Sequence, residues 1–314
     1  MAETKEMSRE EGLKMYQAYV ERIVSDLNAC KKVGCYYIKE AGPGIYRIFN
    51  NGVHMDLIVG EERALLFDTG HGFGDLHEAV RAVTDLPLYV VNSHGHLDHA
   101  CGNCWFEEEV YIHPKDMELC RQHNSPQGRK DGIGMAEESA GRFPGIETLP
   151  ADFDAERYLQ MGCGNLVPVE EGHVFDLGGR TLRVVELPGH TKGSIGLLCP
   201  EEKLLYVGDA INSGLWLFLE ESEPLSVYRE TLEKANGIDF ERIVMAHDFE
   251  MRPKAVLQDY MDVARHLDFE KGFPFSSPFC KGEDVRQCMR PGQTMADFLS
   301  PGFASIVIGR KQLD

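Results

Sequence analysis

Apolar residues recur at three- and four-residue steps through Leu13, Tyr16, Val20, Ile23 and Leu27, a spacing that predicts one amphipathic helix over residues 7–30. From residue 44 the period shortens. The runs "GIYRIFN", "HMDLIVG" and "RALLFD" are separated by Asn50-Asn51-Gly52 and Gly60-Glu61-Glu62, the pattern of short strands joined by turns. A helical spacing over 74–84 follows, and then the strand "LYVVNS" runs straight into a cluster of histidines. The second half repeats this order. "LLCPEEKLLYVGD" (197–209) echoes "LIVGEERALLFD" (57–68), and "RIVMAH" ends on His247 as "LYVVNSH" ends on His94. The echo predicts two βα halves, each delivering polar residues from strand ends to a shared seam. Residues 114–166, rich in Gly and Pro, are too long for an ordinary loop and are expected to form a partly helical insertion or lid. The extension over 268–314 is irregular until "FASIVIG" (303–309), read as one more strand. No linker divides the chain, so one domain over 1–314 is expected, with its core over about 44–250.

Composition changes the picture mainly through charge. The 314 residues include 43% apolar and 26% charged positions, the proportions of a globular chain with a proper core. With 32 basic against 51 acidic residues the formal net charge is -19, which disfavours nucleic acid and anionic membrane faces as partners. The start, "MAETKEMSREE", lacks the apolar stretch of a signal peptide, and no apolar run is long enough to span a bilayer. Nine cysteines, thinly spread, do not suggest a disulfide framework, so a reduced, cytoplasmic protein is expected. A homo-oligomer is compatible with the sequence.

The chemistry concentrates in "SHGHLDHACGNCWF" (93–106). His94 and His96, two apart in extended chain, project to one side. Asp98 and His99, after a bend, face a second point nearby, so one loop supplies two ligands to each of two adjacent cations. Gly95 is read as leaving the backbone close to the ion. His190 in "LPGHTKGS", Asp209 in "YVGDA" and His247 in "VMAHD" each follow a strand, and together they complete two nitrogen-rich sites linked by a carboxylate. Cys101 and Cys104 have no second Cys-x-x-Cys to complete a zinc ribbon, and are read as small packing residues. His54, His77, His113, His123, His173 and His266 stand alone and are read as surface or packing residues. His71, after the "DTG" turn, is expected on the rim of the site.

In these motifs, Asp68 of "FDTG", then "HGHLDH", His190, Asp209 and His247 in that order, the chain resembles the metallo-β-lactamase-fold hydrolase superfamily over about residues 44–250. The resemblance implies an α/β fold, a four-layer αβ/βα sandwich of two mixed sheets flanked by helices, with metals at one edge. It implies that His94, His96 and His190 bind one metal and that Asp98, His99 and His247 bind a second. Asp209 would bridge them, and Asp68 would orient a ligand histidine by a hydrogen bond.

Two divalent cations so held share a water, lower its pKa and direct it at a carbonyl or phosphoryl centre. The resemblance gives Asp98 the catalytic role of positioning that water and passing on its proton. Zinc suits these ligands best, and iron and manganese accept them. The expected reaction is hydrolysis of an ester, lactone, thioester or related small-molecule bond. Having Asp209 and no cysteine ligand looks less like the true β-lactamases. The alternatives are a mononuclear-iron, persulfide-dioxygenase-like oxidoreductase on the same fold, or a β-lactam or phosphodiester hydrolase. Trp216 and Phe218, in the apolar run after Asp209, are a candidate substrate wall, matching a substrate with an apolar portion; the other reading is a buried strand of the second sheet.

Overall fold

A computed structural model describes the backbone of residues 9–294, 297–300 and 302–314, with side chains from residue 13 onward. The first positions of the expected N-terminal helix lie outside the described residues. The helix itself covers Arg9–Asn28, and its apolar stripe is buried only in part. Ile23 and Leu27 pack with Tyr37 and Phe49, whereas Leu13 and Tyr16 are exposed at 56% and 37%.

Two sheets stack face to face. The first has eight strands in sequence order, from Lys31–Val33 to Asn165–Pro168, and includes two strands before residue 44 that the sequence pattern did not announce. The second has six strands between Val174 and Pro253. The inner faces meet in one cluster, where Ile58, Leu65 and Phe67 of the first sheet pack against Leu182, Leu197 and Tyr206 of the second. The outer face of the first sheet is covered by the helix Leu76–Arg81, and that of the second by Leu225–Gly237 and Val256–His266. This is the four-layer αβ/βα sandwich.

The echo in the sequence is a structural repeat. Val53–Val59 and Ala64–Phe67 pair antiparallel, a helix follows, and Leu88–Val91 joins in parallel. Ile195–Cys199 and Leu204–Gly208 pair antiparallel, a helix follows, and Arg242–Met245 joins in parallel. Each unit ends its parallel strands at the same edge, where polar side chains can leave the sheet without being buried unpaired.

One expectation needs correction. The run after Asp209 does not join the second sheet. Gly214–Leu217 pairs in parallel with Ser305–Gly309, the strand expected near the C-terminus, in a third sheet of four strands. Leu215 and Leu217 face the main core, while Trp216 and Phe218 face Phe275, Phe279 and Cys280 of the C-terminal segment. Among the described residues no helix is long and apolar enough to cross a membrane.

Candidate metal centre

The seven side chains singled out in the sequence meet at the edge where both repeats end. His94 and His96 lie in the loop after Leu88–Val91, and Asp98 and His99 on the one-turn helix Leu97–Ala100. His190, Asp209 and His247 follow Thr181–Glu186, Leu204–Gly208 and Arg242–Met245. His94 Nε2 and His190 Nε2 lie 3.0 and 2.9 Å from His96 Nδ1. Beside this trio, Asp98 Oδ2 is 3.6 Å from His99 Nε2 and 3.5 Å from His247 Nε2. Asp209 Oδ2 stands between the groups, 3.5, 3.2 and 3.8 Å from Nε2 of His99, His247 and His190.

The far nitrogens settle what the near ones can do. His94 Nδ1 is 2.9 Å from Ser93 Oγ, whose hydroxyl donates to Asp68 Oδ2. His99 Nδ1 lies 2.8 Å from the same carboxylate oxygen. His190 Nδ1 faces the Trp216 carbonyl and His247 Nδ1 the Gly52 carbonyl, each at 2.8 Å, and His96 Nε2 meets Glu221 Oε1 at 2.7 Å. Every far nitrogen thus has an oxygen partner, which orients each ring with its near nitrogen turned into the site. Asp98 and Asp209 remain ionised: burial opposes their charge, but the facing imidazoles, His99 and His247, hold both carboxyls well below the usual range. Burial and neighbouring imidazoles push His94 down and take His190 to about 4, so both are neutral. His99 Nε2 and Asp209 Oδ1 are buried without a hydrogen-bond partner. Burial opposes protonation, but Asp98 and Asp209 hold His99 well above the usual imidazole range and take His247 to about 10, so these two rings are protonated unless a cation faces the carboxylates. Imidazole nitrogens and anionic carboxylates converging on two points, with protons at one of them where a cation's charge would serve, fit a pair of divalent cations.

Three parts of the support were not legible in the sequence. Asp116, expected in a lid, is buried and ties two ligand loops together. It accepts hydrogen bonds from Gly95 N at 3.0 Å, Gly193 N at 2.7 Å and Thr191 Oγ1 at 2.7 Å. That contact also corrects the reading of Gly95. A Cβ there would stand 2.8 Å from the Asp116 carbonyl and 2.7 Å from Cys120 N, so the small residue serves packing rather than an ion. Glu221 is the second. Burial raises its carboxyl, but the bond to His96 wins and the group is lowered to about 2. His123, read as isolated, is the third: its ring stacks on His96 at 5.2 Å and 18°.

His71 is buried beside the site. Its ring stacks on Phe73, Asn51 Nδ2 lies 3.2 Å from its Nε2, and burial lowers its pKa to about 4. Trp216 reaches the site through its carbonyl, and the Phe218 ring packs with Trp216 and Phe275. Cys101 and Cys104 turn their thiols to the carbonyls of His123 and Cys101, and burial pushes Cys101 up to about 12, so it stays a protonated thiol. The fully buried Arg129 fixes the helix Pro126–Ser139 behind the ligand loop through the carbonyls of Cys101, Met161 and Gly162. Much of segment 114–166 is therefore scaffold.

A family model described as the metallo-beta-lactamase superfamily matches residues 52–247. Among curated proteins, the acyl-coenzyme A thioesterase MBLAC2 of Bos taurus is 27% identical over 197 residues, covering 57% of this chain and 67% of that one. The hydroxyacylglutathione hydrolase GloC of Haemophilus influenzae is 26% identical over 157 residues, covering 49% and 64%. Among solved structures, the stereoselective inverting sec-alkylsulfatase Pisa1 from Pseudomonas sp. superposes with a TM-score of 0.58 at 14% identity, over 85% of this chain and 46% of that one. At that identity the likeness is one of fold.

Proposed function

Given that the chain belongs to the metallo-beta-lactamase superfamily, we propose that it is a dinuclear metal-dependent hydrolase of a small-molecule thioester or ester. The observation that carries this reading is Asp209. One oxygen, Oδ2, lies within 3.8 Å of imidazoles from both ligand groups, as a carboxylate shared by two cations must. Two relatives named as thioester hydrolases support the choice of bond.

His94, His96 and His190 would hold one cation and Asp98, His99 and His247 the other, with Asp209 facing both groups. When bound, the pair supplies an activated water at neutral pH and polarises the acyl carbonyl. The chain's own residues do the rest. Asp98 accepts the proton of the attacking water at its carboxylate and returns it to the departing sulfur or oxygen. Asp68, Glu221 and the carbonyls of Trp216 and Gly52 keep the imidazoles in one tautomer and one orientation. Zinc is the resident ion this donor set favours, with iron and manganese as competitors.

Elemental analysis of protein purified without added metal, paired with a panel of acyl thioesters, esters and lactones, tests the reading. Two divalent ions per chain and turnover on thioesters are expected. One iron per chain, oxygen uptake on a persulfide and no hydrolysis would replace it with the dioxygenase reading.

A further inference from the structure

The loop that carries His247 is gripped by a hairpin of the other sheet. Ile45–Asn50 and Val53–Val59 are joined by the turn at Asn51 and Gly52, with φ of 45° and 88°. Arg47 sits opposite Asp56 and Phe49 opposite His54, so these four side chains share one face. That face meets five consecutive residues of the loop. Arg47 donates from Nη2 to the Met245 carbonyl at 2.7 Å and from Nη1 to the Asp248 carbonyl at 2.6 Å. His54 Nδ1 lies 3.0 Å from the Ala246 carbonyl, and the Gly52 carbonyl takes His247 Nδ1. Phe249 closes the row, its ring 5.0 Å from Phe49 and 4.8 Å from His54.

Arg47 is the centre of this grip. Its Nε donates to Asp56 at 2.9 Å, and the pair is almost wholly buried, with side chains 3% and 5% exposed. A planar guanidinium held on one edge by a carboxylate presents its remaining donors in a fixed fork, which a lysine cannot reproduce. The fork spans the carbonyls on either side of Ala246 and His247, and so sets where the His247 backbone lies.

We propose that Arg47 is a positioning residue for the second metal position: it holds the His247 loop in ligating register and sets affinity there, leaving the first position unaffected. The inference rests on the dinuclear reading. Among the described residues no hydrogen bond or ring contact joins this hairpin face to His94, His96 or His190, whereas the hairpin holds the His247 ring and the backbone on both sides of it.

The test is stepwise zinc binding to the full chain, read by elemental analysis across buffered zinc concentrations and by the visible spectrum of the cobalt-loaded protein. Five proteins are compared: wild type, Arg47→Lys, Arg47→Met, His247→Ala and the control Ile48→Ala. Arg47→Lys keeps a charge opposite Asp56 and guards against a misfolded Arg47→Met. The expected result is two equivalents in wild type and, in both Arg47 variants, an unchanged first constant with a second weakened about 10–100-fold. Their cobalt spectra should shift toward that of His247→Ala. Ile48→Ala, which opens a buried site on the neighbouring position, should leave both constants alone. Unchanged constants in the Arg47 variants overturn the proposal, as do equal losses at both positions or an equal loss in Ile48→Ala. A wild type that binds only one ion overturns the dinuclear reading as well, and is read without any variant.

Discussion

The two proposed metal positions are built differently. At the first, His94, His96 and His190 are all buried, and each is fixed by a residue near its own loop or by the adjoining Trp216 and Glu221. Asp116 ties the loops of His96 and His190 into one unit. At the second, only His99 is buried; Asp98 is half-buried and the His247 side chain is 38% exposed. Both positions draw on the two sheets, but the joint that carries His247 is the Arg47 hairpin. The first position is thus buried and cross-tied by Asp116, while the second is partly open and leans on the hairpin. Ligands already held before metal arrives give up less conformational freedom on binding. The first position should therefore fill first and empty last.

Removing a ligand from the buried position breaks this picture most severely. His96→Ala should abolish measurable thioester turnover, a loss of at least about 10³-fold, and lower metal content below one equivalent under limiting zinc. If it instead lost only the weaker ion, the assignment of the two positions would be reversed. Asp98→Asn comes next. It should cut kcat by about 10²- to 10⁴-fold while the first ion is retained, a split visible by steady-state kinetics beside elemental analysis. Glu221→Gln is smaller and sharper. Loss of the carboxylate on His96 Nε2 should weaken the first constant by about 10–100-fold and spare the second, the mirror image of the Arg47 variants. Smallest is the cysteine pair. The double variant Cys101→Ala/Cys104→Ala should hold both ions and stay within about threefold of the parent rate, since neither thiol faces a ligand atom. Loss of either ion there would mean the ligand helix leans on these sulfurs.

Legibility in the sequence follows the same division. The candidate ligands were readable because strand periodicity marks where a strand ends, and these polar residues sit just after strand ends. "HGHLDH" is local, and the two-strand echo located Asp209 and His247 as counterparts of Asp68 and His94. The supporting residues were not readable, because nothing local distinguishes them. Glu221 is one of several acidic residues in a turn and meets His96 across 125 positions; Asp116 meets Thr191 across 75, and Arg47 meets Asp248 across 201. Each is an ordinary charged residue until tertiary structure buries it against its partner. Periodicity also overreached. The stripe on the first helix continues to Leu13 and Tyr16, but these are exposed, so spacing announced a buried face of which only Ile23 and Leu27 are fully buried, against Tyr37 and Phe49. The third sheet was missed because its strands, Gly214–Leu217 and Ser305–Gly309, lie some ninety positions apart and pair in parallel.

The central claim is that one chain holds two ions at two unequal positions joined by Asp209. The most direct measurement is a chelator titration of the purified protein, following bound metal and thioester turnover in the same samples. The account predicts two equivalents released in separate steps, with turnover falling at the first step as the exposed position empties. A single equivalent, or two released together with no change in turnover until both are gone, would contradict it.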